Sequence, residues 1–172
     1  MSQYNRGGHG AGRPRSTRPG YTGERNPSRG DKVANHWPDY LKGGYFDEQG
    51  HLKIEFVTRE KVEPLAKAMC EDRSGLTTHQ IRRYFGHCRA IETRLKSAGT
   101  PWASVWPEVK KLDIAAADGA GKQPPKIPSL FHDFIRRNVD QIKTKDDFLR
   151  GFLPHFEALL GFGQAHFRKE RT

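Results

Sequence analysis

The chain carries only two cysteines in 172 residues, Cys70 and Cys88, and they form no CxxC pair. That scarcity excludes the disulfide framework of a small secreted domain and predicts two buried thiols in a reducing compartment. No apolar run approaches the roughly 20 residues that a membrane-spanning helix needs. The N-terminus also lacks the apolar centre of a secretory leader. A cytoplasmic protein with no membrane partner is expected. The eight histidines fall into no HExxH or His/Cys ligand spacing, so most are expected at surface or boundary positions. A phosphate-loop motif and a dinucleotide fingerprint are absent too. No catalytic residue, no metal and no cofactor is therefore assigned, and the chain is read as a non-enzyme.

Another shortage is local. Residues 1–30 contain no Ile, Leu, Val, Phe or Trp, but seven glycines, three prolines, and six arginines against one glutamate. Such a segment buries too little apolar surface to offset the entropy of ordering its backbone. A disordered basic arm is expected over residues 1–34, ahead of a folded domain over 35–172. Net charge is +10, of which residues 1–30 supply +5. An excess of this sign and size favours a polyanionic partner, most often nucleic acid. A mildly basic, solvated surface is the plain alternative.

What is present is helical periodicity. Trp37, Tyr40, Leu41, Tyr45 and Phe46 offer anchors, with turns at Gly43-Gly44 and Gln49-Gly50. His51 to Val57 reads as a short extended piece or a linker. Thr58 is placed to cap a helix running to about Asp72, with Val62, Leu65, Ala66, Met69 and Cys70 on one side. Pro64 either kinks that helix or marks its true start. Thr77 and Gln80 form a capping box for a helix to about Ser97. Trp102, Val105, Trp106, Val109, Leu112 and Ala116 line a third helix, and Asp118 to Pro128 reads as a break. A fourth helix is expected over Ser129 to Ile142 and a fifth over Lys145 to Phe167. The fold class is all-α: a compact bundle of about five helices.

The second helix carries the candidate chemistry. At about 100° per residue, Ile81, Tyr84, Cys88, Ile91 and Leu95 share one face. Arg82, Arg89 and Lys96 follow one shoulder at intervals of seven, while Arg83, His87 and Arg94 follow the other. The guanidinium fork suits phosphate, which positions a nucleic acid without reading its bases. A solvated flank of ordinary arginines, or a division of the shoulders between RNA and a protein neighbour, also fits. Glu92 lies near the apolar side and is placed to pair with Lys96 four residues on. Trp102 and Trp106, one turn apart, are expected in packing rather than on bases.

The run Leu76-Thr77-Thr78-His79-Gln80-Ile81-Arg82-Arg83-Tyr84-Phe85, followed by Arg89-Ala90-Ile91-Glu92, resembles the central motif of the Csm small-subunit family of type III-A CRISPR effector complexes. Gly44-Tyr45-Phe46, Gly50-His51-Leu52 and the terminal run Phe152-Leu153-Pro154-His155-Phe156-Glu157-Ala158-Leu159-Leu160-Gly161-Phe162 are similar to that family as well. The likeness spans roughly residues 35–167. It implies a small all-helical, noncatalytic subunit that stacks in several copies beside the guide–target RNA duplex. Its implied partners are guide RNA, target RNA, the backbone-forming subunits, the large polymerase-domain subunit and neighbouring copies of itself. It also places RNA contact on the second helix, at Arg82, Arg83, Arg89, Arg94 and Lys96, with Gln80 and His87 beside them. The chain departs from the family between Ile114 and Lys122, where an aromatic and an arginine are missing, and Lys122 is the nearest replacement for the charge. Two other classes compete: a protein-interaction adaptor whose basic faces meet acidic partners without touching RNA, and a small metal-dependent nuclease using His87.

Overall fold

A computed structural model describes residues 32–169. The basic arm expected over residues 1–34 lies outside the described residues as far as residue 31. Five α-helices follow one another: α1 Arg59–Glu71, α2 Thr78–Lys96, α3 Trp102–Gly121, α4 Ser129–Gln141 and α5 Leu153–Gly163. Among the described residues β-pairing is limited to two isolated bridges, Phe46 with Leu52 and Thr77 with Arg168. The all-α bundle expected from the sequence is what forms.

Each helix buries the stripe its periodicity marked. Val62, Leu65, Ala66, Met69 and Cys70 of α1 are buried. So are Ile81, Cys88, Ile91 and Leu95 of α2, and Val105, Val109, Leu112 and Ala116 of α3. Pro64 sits inside α1 and Pro107 inside α3, each at the sixth helical residue. Neither marks a start. The capping box of α2 is complete: Thr77 N–H donates to Gln80 Oε1 at 3.0 Å and Gln80 N–H donates to Thr77 Oγ1 at 3.2 Å.

Three stretches differ from the sequence reading. Helix α3 continues through Asp118 to Gly121, so the break begins at Lys122. There the loop folds back: Lys126 N–H donates to the Gly119 carbonyl at 2.8 Å, and Ile127 packs over Gly119. Residues 54–57 form a 3-10 turn rather than an extended piece. The last helix is not uniform, because Asp147–Phe152 winds as a π-turn and the regular α5 follows. Pro154 lacks an N–H and its ring crowds the carbonyl four residues back. A wider turn ahead of it, with Leu153 N–H donating to the Phe148 carbonyl, relieves that conflict.

The core centres on aromatic rings. Phe131, Phe134, Phe148, Phe152 and Phe156 are fully buried, and Trp37, Tyr40 and Tyr45 close over them with Phe56. Burial reaches back to Val33, whose N–H donates to Asp133 Oδ2 at 2.9 Å. His155 is the exception to the surface and boundary positions of the other described histidines and is fully buried. Its Nδ1–H donates to the Phe56 carbonyl at 2.7 Å, and its Nε2 accepts from Tyr40 Oη at 2.8 Å. Tyr40 Oη in turn accepts from Asn138 Nδ2 at 2.6 Å, while Asn138 Oδ1 accepts from Tyr45 Oη at 2.8 Å. One consistent direction of donation satisfies every member, which is the condition under which a buried polar chain is tolerated. It ties the segment before α1 to α4 and α5.

Candidate nucleic-acid interface

The capping box orients the first turn of α2, and Gln80 does more than cap. Its Nε2 donates to the Lys126 carbonyl at 2.5 Å, across 46 positions of sequence. The loop after α3 is thereby fastened against the start of α2. Two turns further along, His87 Nε2–H donates to the Glu108 carbonyl at 3.0 Å and joins α2 to α3. Between these two struts lies a cleft of about 790 Å³. His79, Arg83, Lys111, Lys122 and Lys126 line it, with Tyr84 and Leu112 among its apolar surface.

The two basic shoulders of α2 therefore have different surroundings. Arg83 and His87 face the cleft. Arg94, on the same shoulder, is exposed and near enough for its charge to act on the Glu108 carboxyl. Arg82, Arg89 and Lys96 lie on the other side of the helix. There Glu92, nearly buried, accepts from Lys96 Nζ at 2.7 Å and pairs with Arg89 Nη1 at 2.6 Å. The Lys96 pairing expected from the sequence forms, and Arg89 joins it. A carboxylate this buried depends on both cations, so drawing them away exposes an uncompensated charge.

The cleft cations are less committed. Lys122 pairs with Asp118 at 2.7 Å and Lys111 with Glu108 at 3.0 Å. The Lys111 contact is the main cause holding the Glu108 carboxyl below the ordinary glutamate value. Both lysines are at least half exposed in these pairs. Exposed pairs of this kind contribute on the order of 0–1 kcal/mol, so a phosphate competes for their lysines at little cost. Arg83 and Lys126 make no ion pair among the described residues. The burial of Tyr84 raises its hydroxyl above the ordinary tyrosine value, and its ring packs edge-on against Phe131 at 5.0 Å. It forms part of the cleft wall.

Of the eight residues marked from the sequence, Gln80, Arg83, His87 and Lys122 meet at the cleft, and Arg82, Arg89, Arg94 and Lys96 do not line it. Lys111 and Lys126 are additions. Lys111 had a legible signal, since Lys111, Ala115, Asp118 and Lys122 recur on one face of α3 once that helix is extended to Gly121. Lys126 shares the Gly/Pro-rich loop with Lys122, a placement that from the sequence fits either a polyanion contact or a solvated lysine. Among the described residues no group of His, Cys, Asp and Glu is arranged to hold a metal ion. No helix there is long and apolar enough to cross a membrane.

The Csm2 Type III-A family model matches residues 57–169, which takes in α1 through the segment after α5. No curated protein and no solved structure matches the chain. With the matched region holding all five helices and both walls of the cleft, the chain belongs to the Csm2 family, the small subunits of type III-A CRISPR complexes.

Proposed function

We propose that this small subunit is a noncatalytic RNA-binding protein that steadies the guide–target duplex through backbone contacts and bridges neighbouring subunits. Its partners are guide RNA and target RNA, the backbone-forming subunits, the large polymerase-domain subunit and adjacent copies of itself, and it works in the cytoplasm. The observation carrying this reading is the α2–α3 cleft, where Arg83, Lys111, Lys122 and Lys126 converge on one concave surface. Arg83 is the principal α2 contact, with Arg94 beyond it. Arg82, Arg89 and Lys96 turn away from the cleft and suit a protein neighbour. Gln80 and His87 are positioning residues, because their hydrogen-bonding groups already hold the cleft walls.

An A-form duplex presents phosphates and 2′-hydroxyls rather than readable base edges, so a wall of cations engages it by shape and charge. Base pairing with the guide supplies sequence choice. Affinity then falls steeply with salt through counterion release. The test is RNA retention by purified full-length chain carrying R83A, K122A and K126A together. A loss of at least about tenfold at low salt, with helical content unchanged, is expected; each well-placed charge-assisted contact contributes about 1 kcal/mol or more. Undiminished retention would overturn the reading. Binding to an acidic effector subunit with no RNA affinity at all would favour the adaptor class instead.

A further inference from the structure

A second basic surface borders the cleft. It lies where α1 ends and the chain turns into α2, and it is lined by Arg73, Ser74, Thr77, Lys126, Arg168 and Lys169. Lys126 lines both surfaces. No acidic side chain lines this one.

Its geometry is fixed by the segment after α5. Arg168 N–H donates to the Leu76 carbonyl at 3.2 Å, and Thr78 N–H donates to the Arg168 carbonyl at 3.2 Å. The backbone of residue 168 is thus stapled to the start of α2. The guanidinium then reaches back over the α1–α2 turn, with Nη2 donating to the Asp72 carbonyl at 2.9 Å and Nη1 to the Arg73 carbonyl at 3.2 Å. Gly75 makes room for it: a Cβ there would sit 2.5 Å from Arg168 Nε. These contacts orient the fork on neutral carbonyls, with no carboxylate in ion-pair contact with it among the described residues. Arg73, Lys126, Arg168 and Lys169 take part in no ion pair among the described residues, unlike Arg89, Lys96, Lys111 and Lys122. An immobilised guanidinium flanked by exposed cations attracts an anion without first surrendering a carboxylate partner or freezing a long side chain.

We propose that this corner is a second sugar–phosphate contact, continuous with the α2–α3 cleft through Lys126, so that one chain holds a longer tract of RNA backbone than the cleft alone. The inference rests on the cleft being an RNA surface. Lys126 is the hinge of the path. Its carbonyl is anchored by Gln80, its N–H is anchored by the Gly119 carbonyl, and the residue lines both surfaces. Arg168 is the fixed point at the far end, and Arg73 and Lys169 are its mobile neighbours.

The test compares full-length chain with R73Q/K169Q, with R168Q, and with the cleft variant R83A/K122A. Arg73 and Lys169 are exposed and their side chains make no described contact, so the double variant keeps the fold. RNA oligonucleotides of increasing length are titrated at several salt concentrations. For the double variant, affinity for long RNA is expected to fall about fivefold, and the salt slope to shrink by about 1 to 2, as removal of two phosphate contacts requires. The affinity of that variant should also stop rising at a shorter oligonucleotide than wild type needs. R168Q, which removes one cation, should lower affinity in the same direction and shrink the slope by about 1. A double variant with unchanged affinity, slope and length dependence, beside a cleft variant that loses RNA, would overturn the corner while leaving the cleft reading intact. Loss in the corner variants with none in the cleft variant would overturn the continuous path. Retained RNA binding with lost affinity for an acidic effector subunit would reassign the corner to a protein contact and overturn the proposal.

Discussion

Gln80 and Lys126 are joined by a 2.5 Å hydrogen bond from a helix-capping side chain to a loop carbonyl. The Gln80 oxygen faces the Thr77 N–H and its nitrogen faces the Lys126 carbonyl, so both ends of the amide have a single possible assignment. The two roles separate by substitution. Q80E keeps an acceptor for the cap but has no donor for the loop. Q80A loses both. Urea unfolding should show Q80A less stable by about 1 kcal/mol and Q80E near wild type. Trypsin cleavage after Lys122 and Lys126 should accelerate in both variants. Equal cleavage rates in all three proteins would mean that the loop needs no tether.

The Arg89–Glu92–Lys96 cluster gives a prediction of opposite kind. Replacing Glu92 by Gln removes the charge that holds both cations, at distances of 2.6 and 2.7 Å. The cations are more than half exposed, so solvent screens the loss to about 1 kcal/mol of stability. Because this shoulder faces away from the cleft, RNA affinity of E92Q should stay within about twofold of wild type, by less than the ~1.4 kcal/mol that a tenfold change requires. A large gain in affinity would move the RNA contact to the Arg82–Arg89–Lys96 side.

The helices were legible because their apolar stripes recur at helical spacing and their caps are local. Thr77 and Gln80 are three residues apart, and Ile81, Cys88, Ile91 and Leu95 share one wheel position cluster. Arg83 and Lys126 are 43 positions apart, and no periodicity links them. Their meeting depends on α3 running past Asp118 and on the loop doubling back over Gly119. A stretch rich in Gly and Pro reads as a break, yet Gly119 and Gly121 stay helical where Ile127 packs close to Gly119. Arg168 carried no pattern at all. The burial of His155 had no signal in the sequence, because a lone histidine gives no sign of its partners, here Tyr40 and the Phe56 carbonyl.

Gly151 in the π-turn lies beneath the Tyr45 ring, and a Cβ at that position would come within 2.6 Å of two ring carbons. The ring cannot retreat freely, since Tyr45 Oη donates to Asn138 Oδ1 and the ring packs on Phe56 at 5.5 Å. G151A should therefore destabilise by about 1–3 kcal/mol, the range for overpacking a filled core. A Y45F background keeps the ring and loses the hydroxyl tether. The penalty of G151A should shrink there, measured by urea unfolding of the four proteins in a double-mutant cycle. An additive cycle would show that the hydroxyl does not hold the ring in place.

Burial holds the His155 imidazole well below the ordinary histidine value, at about 4, with its hydrogen bond to the Phe56 carbonyl acting in the other direction. The neutral ring is the one that fits, because Nε2 must accept from Tyr40 Oη. In the unfolded chain the same group titrates near the ordinary histidine value of 6.5. Between these values the unfolded state binds the extra proton, so stability rises with pH across that window. It is fully present above about pH 6.5 and is lost progressively as pH falls towards 4. The single group accounts for about 3 kcal/mol over the window, at 1.36 kcal/mol per unit. The urea midpoint at pH 4.5 should accordingly lie well below that at pH 7. H155Q keeps polar atoms in the cavity and removes the titration. It should be less stable at pH 7 and flatter with pH, and an unchanged slope in H155Q would assign the acid sensitivity to other groups.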